Sequence, residues 1–180
     1  MLKTNQHDEL RDEISRAEAR HELSEFHALN FHALLAIIEG SDLAIDYLEM
    51  ADASAGSPYE LALVSESFAV YDLSNGNALS AARRCLNTLS HIQQTEGLWS
   101  RLLLALYRLG DVEAIDVTLE GFTKLDEESH GRLIDLISIE PDLSEIRQRP
   151  AFQQLIARRH VSQPHAALTN HDPPDRRLLA

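Results

Sequence analysis

The sequence predicts an all-α protein made of stacked helical hairpins, and three observations predict it. Leu, Ala, Glu and Arg, all good helix formers, are plentiful, while Gly and Pro number only 7 and 6. Long β-branched runs are absent. Gly40, Gly76 and Gly110 fall 36 and then 34 residues apart, each after an apolar helix-like run and before a shorter amphipathic one. A two-helix hairpin cannot bury its apolar face alone, so hairpins repeating at this period stack into a continuous core. The 180 residues suit one domain or a short array, and a hydrophobic content of 44% supports a real core.

Taken in order, residues 7–21 are highly charged, with Leu10, Ile14 and Ala17 as a thin apolar stripe. Residues 1–21 are therefore expected to hold an exposed helix that needs a partner for stability. Residues 22–39 form the first strong helix, apolar on two sides, which Gly40 ends. Ser41 is placed to cap the next helix, carrying Leu43, Ala44, Tyr47, Leu48 and Ala51. Ser57 and Glu60 read as a capping box, with Pro58 at the first helical position of a helix reaching about Leu73. After "SNG", Ala78, Leu79, Ala82, Cys85, Leu86 and Leu89 mark the next helix. Thr95 is expected to cap a helix with a wide stripe through Leu98, Trp99, Leu102, Leu103, Leu106 and Leu109. Gly110 stops it, and Asp111 caps a helix through Val112, Ile115, Leu119 and Phe122. Asp126 opens another through Leu133, Ile134 and Ile137. Asp142 and Glu145 suggest a capping box for a short helix, Pro150 breaks it, and "AFQQLIARR" adds a turn or two. The repeat domain is thus expected over 22–159, with a closing cap from 142. Residues 160–180, rich in Pro, His and Asn without periodicity, are expected to be a disordered tail.

The net charge of −13 sits mostly between Glu22 and Glu145, where 22 acidic residues face 6 basic ones. Such a surface repels nucleic-acid phosphates and anionic membranes, and it favours basic or amphipathic protein segments. No signal-peptide core follows the polar N-terminus, and the longest apolar cluster, "FHALLAII", is too short to span a bilayer, so the expected location is the cytoplasm. The single cysteine, Cys85, is expected to be an inert core thiol. Glu18 and His21 form an E-x-x-H, read as an exposed ion pair. "HELSE" is not the zinc motif H-E-x-x-H, and His27 and His32 are five apart, so they do not share a helix face. His32 reads as a core or interfacial residue and Trp99 as core packing. No catalytic constellation and no cofactor or metal site is expected.

The stretch "LWSRLLLALYRLGDVEAID" resembles the tetratricopeptide repeat (TPR) family. With Gly110 as the turn glycine, Trp99, Leu102, Tyr107 and Asp111 fall at family positions, while Leu103 and Ala114 depart from the pattern. Phe68, Ala69 and Ala81 fit in the second unit, with Ser65 at the aromatic position. Ala33 and Gly40 fit in the first, with His32 where leucine is usual. Residues 141–155, from Pro141-Asp142-Leu143 through Arg147 to Leu155, resemble the segment that closes such repeats in many bacterial proteins. The resemblance implies a right-handed α-solenoid of about three hairpins plus C-terminal capping helices. It also implies a concave groove lined by the first helix of each unit, with His27, Asn30 and Leu34 from unit one. Glu66 and Val70 follow from unit two, and Arg101, Leu104 and Arg108 from unit three. The function expected is a non-enzymatic adaptor holding a peptide or helix of another protein, with homo-oligomerisation open. The alternatives are a small acidic chaperone resembling those of type III secretion, and a metal-binding helical protein using the N-terminal histidines.

Overall fold

Three turns of nearly identical geometry organise the chain. In the computed structural model, which describes residues 4–92, 95–122 and 125–162, Gly40, Gly76 and Gly110 adopt φ of 67°, 77° and 70°. At each turn the next residue's N–H reaches back five residues: Ser41 to the Ala36 carbonyl, Asn77 to Asp72 and Asp111 to Leu106. This left-handed closure satisfies the last carbonyls of a helix and needs a residue without Cβ strain, which is why glycine recurs there.

The described residues hold nine α-helices and no strand: α1 (Thr4–Ala19), α2 (Glu25–Glu39), α3 (Ala44–Ser54), α4 (Pro58–Ser74), α5 (Ala78–Leu89), α6 (Glu96–Leu109), α7 (Val112–Gly121), α8 (Glu127–Ile139) and α9 (Pro150–Ser162). The protein is all-α, as the composition predicts. Consecutive helices pair as α2 with α3, α4 with α5 and α6 with α7, and successive first helices touch in series, α2 to α4 to α6 to α8. Helix α9 packs on α7 and α8, so α8 and α9 cover the end of the third hairpin. One core cluster gathers Phe26, Ala33, Leu48, Ala51, Val64 and Phe68 from the first hairpin and α4. A larger one runs from α4 to α9 and includes Leu98, Leu102, Leu119, Phe122, Ile137, Phe152 and Leu155.

Several capping expectations hold and several need correction. Ser57 Oγ accepts from the Glu60 N–H at 3.2 Å, and Asp111 and Asp126 accept from Ala114 and Ser129 N–H at 3.0 and 2.9 Å. The Glu60 carboxylate closes its box on the Gly56 N–H at 2.8 Å. Helix α2 starts at Glu25, not 22, because Ser24 caps it through the His27 N–H. Ser41 does not cap α3; its hydroxyl accepts from Leu43 N–H, a tight local turn, and Leu43 is the N-cap. Thr95 makes no capping hydrogen bond to α6. Residues 142–148 form two 3-10 turns, Pro141–Leu143 and Ile146–Gln148, rather than a capped helix. Pro150 opens α9, which runs 13 residues. Proline's missing N–H costs nothing at a helix start. The rest of the tail expected from 160 lies outside the described residues beyond Ser162.

Arginines tie the layers together. Arg149 pairs bidentately with Asp116 at 2.7 and 2.5 Å, joining the start of α9 to α7. Arg132 on α8 reaches Glu96 at 2.7 Å. Helix α1 finds its partner within the chain. Ile14 is buried, Arg11 pairs with Glu39 at 2.5 Å, and Glu18 bonds His32 at 3.2 Å. Glu18, expected to pair with His21, therefore hydrogen-bonds His32 instead. His21 occupies the left-handed turn between the helices, φ 56°. His32, stacked on Tyr47 with ring centroids 5.4 Å apart, is interfacial as expected.

Cys85 is fully buried, and burial pushes its thiol up to about 12, with the Glu66 charge adding to the shift. The thiolate is the reactive form. Native protein should therefore resist a thiol-specific chromogenic reagent at neutral pH and react rapidly once denaturant is added. Rapid labelling of the folded protein would contradict the buried placement.

Candidate functional site

Six of the eight groove residues expected from the sequence converge. His27, Asn30 and Leu34 on α2, Glu66 and Val70 on α4, and Arg101 on α6 line one concavity of about 410 Å³. Their spacing explains this. Residues three and four apart share a helix face, and α2, α4 and α6 lie side by side. A second concavity of about 490 Å³ continues from the shared residues Glu66 and Arg101 to α8, reaching Arg132, Asp135 and Ile139.

Two expected groove residues lie elsewhere. Leu104 is 6% exposed and belongs to the larger core cluster. Helix α6 is contacted by α4, α5, α7 and α8, which leaves little free face on it. Arg108 donates to the Leu73 carbonyl at 2.7 Å and to Asp142 at 3.1 Å, so it clips the end of α4 to the closing segment.

The groove joins apolar surface to a charge network. Phe31, Tyr59 and Leu63 add apolar area, and Tyr59 is 63% exposed. Ile139, 75% exposed, marks the other end. Between them, Arg101 lies 3.7 Å from Glu66 and 3.4 Å from Glu140. Burial pushes the Glu66 carboxyl above its ordinary range; Arg101 opposes this shift and the Glu96 charge adds to it. Glu96 titrates below its ordinary range. Burial acts to raise it, but bonds from its own backbone N–H, Arg132 and Ser129 outweigh that. Asn30 is 8% exposed, and its Oδ1 is buried without a hydrogen-bond partner among the described residues. Buried acceptors left unsatisfied are costly and call for an explanation.

Sequence reasoning passed over Gly97. A Cβ there would lie 1.9 Å from Glu66 Oε2, so this glycine in the first turn of α6 makes room for the carboxylate. The available signal was a glycine inside a helical run in a chain with only seven. Phe31 is 41% exposed at the groove. Among the described residues, no group of three or more His, Cys, Asp or Glu is arranged to hold a metal ion, and no helix is long and apolar enough to cross a membrane. Compared with family models, curated proteins and solved structures, the chain matches none.

The raised Glu66 pKa has a stability consequence with a definite sign. The native state holds this proton more tightly than the unfolded chain does, so ionised Glu66 opposes folding above its ordinary value of 4.5. Glu66→Gln should raise the melting temperature near neutral pH, with the gain fading as pH falls below about 4, where unperturbed carboxylates are protonated. Thermal unfolding at both pH values checks it. A variant less stable than the parent at neutral pH would contradict the assignment.

Proposed function

We propose that this chain is a TPR-like adaptor, not an enzyme, which binds a segment of another protein in the groove along α2, α4, α6 and α8. The observation that supports this reading is the convergence of His27, Asn30, Leu34, Glu66, Val70 and Arg101 on one concave face. Apolar lining beside an acid-rich network suits an extended or helical segment that carries basic and apolar side chains. Glu66, whose carboxyl burial pushes above its ordinary range, fits a site kept for binding, since binding sites commonly hold such stability costs.

The test uses Leu34→Glu with Val70→Glu, two half-buried groove positions. Partners captured by the parent and identified by mass spectrometry should be lost by the double variant, with its far-ultraviolet helical signal retained. Equal capture by a folded double variant would refute the groove assignment.

A further inference from the structure

Resting on that groove reading, we infer that the partner's bound segment is extended and carries one lysine or arginine, seated against the Glu66 carboxylate, with an apolar side chain about three or four residues away on either side.

The groove's ion pairs are unevenly shared. Arg132 holds two carboxylates closely, Glu96 at 2.7 Å and Glu128 at 2.8 Å. Arg101 also serves two, but at longer range: Glu140 at 3.4 Å and Glu66 at 3.7 Å, the latter beyond hydrogen-bond distance. These pairs set four carboxylates against two guanidiniums, and Glu66 is the least satisfied of the four. Its side chain is 28% exposed and lines both concavities, so a donor entering the groove reaches it. Burial raises its proton affinity, and a cation beside it acts in the opposite direction. An ammonium or guanidinium from the partner donates a charge-assisted hydrogen bond to a group that folding has already part-stripped of water. A carboxylate from the partner would instead add negative charge where carboxylates already outnumber guanidiniums.

Apolar surface flanks this charge centre on both sides. Toward α2, Phe31 is 41% exposed and Tyr59 63%; toward α8, Ile139 is 75% exposed. Helices α2, α4, α6 and α8 touch in series, and packed neighbours lie about 8–10 Å apart. Each apolar end therefore lies roughly 10 Å from Glu66, about three or four residues of extended chain. Glu66 and Arg101 are common to both concavities, and an extended segment feeds separate side chains into neighbouring pockets. A helix, about 10–12 Å across with its side chains, needs one continuous trough instead.

The experiment selects phage-displayed random peptides of about twelve residues, long enough to cross the four helices when extended, on the full-length protein. The best binders are then synthesised and titrated by fluorescence anisotropy. The expected consensus is a lysine or arginine flanked on both sides, about three or four positions away, by apolar residues. Glu66→Gln should weaken these peptides by about tenfold or more. That loss should vanish for a peptide carrying methionine in place of its basic residue, because the two changes remove one and the same contact. Failure to enrich any binder, a consensus without the basic residue, or parental affinity in Glu66→Gln overturns the inference. Leu34→Glu with Val70→Glu separates the two readings. Peptides lost by that variant but indifferent to Glu66→Gln leave the groove reading standing while this one falls. Peptides indifferent to both variants bring down the groove reading as well.

Discussion

Leu104→Glu should unfold the protein. Leu104 is buried on α6, together with Leu102, Leu103 and Leu106, and the arginines three and four residues away, Arg101 and Arg108, are already engaged by Glu140 and Asp142. Losing the leucine contacts and burying an unpaired charge costs on the order of 4 kcal/mol or more. Domains of this size are stable by only about 5–15 kcal/mol. The expected result is a large fall in the urea midpoint and loss of helical circular dichroism at physiological temperature. Leu104→Met, nearly volume-conserving, should cost less than about 1.5 kcal/mol. If Leu104→Glu kept the parental midpoint, the residue would face solvent, as the repeat phase alone suggests.

Phe122→Ala should follow closely, at about 3–5 kcal/mol. Phe122 is 1% exposed and meets Trp99 edge-on, with ring centroids 5.2 Å apart and planes at 80°. Removing it opens a cavity between α6 and α7 and forfeits an aromatic contact worth about 0.5–1.5 kcal/mol. Trp99 is the chain's only tryptophan, so its emission should shift to the red along with a lower denaturation midpoint. Trp99→Ala itself should cost less than Phe122→Ala, because Trp99 is only half-buried. An unchanged emission maximum in Phe122→Ala would show that the two rings are not in contact.

The hairpin plan was readable in the sequence because its signals are local. A left-handed glycine turn, a Ser57 cap followed by Pro58, and an Asp111 directly after Gly110 each specify backbone geometry within a few residues. Thr95 and Ser41 show where that logic stops. Their residue type suits an N-cap, yet the backbone enters α3 and α6 along paths that send the hydroxyls elsewhere. Residues 142–148 carry a capping-box pattern but pack against α6, α8 and α9, with Leu143 and Ile146 buried. Burying both side chains within so short a segment favoured two 3-10 turns over one capped helix.

The concave face was legible on α2 and α4 through the resemblance, which implied three and two residues there that line the concavity. It failed on α6 for residues whose fate depends on distant chain. Helix α8 packs across α6, and Arg108 is taken by the Leu73 carbonyl and Asp142, 35 and 34 residues away. The pairings of Arg132 with Glu96 and of Arg101 with Glu140 are equally remote, 36 and 39 residues apart. No local pattern encodes them.

The measurement that bears most directly on the central claim sets the concave face against the opposite one. Leu79 and Leu86 on α5 are exposed apolar residues lining neither concavity. A captured partner should be titrated by calorimetry against the parent, against Leu34→Glu with Val70→Glu, and against Leu79→Glu with Leu86→Glu. The groove reading predicts that the first double variant loses binding by about a hundredfold or more while the second binds like the parent. Loss of binding in the α5 variant, with the groove variant unaffected and both still folded, would contradict it.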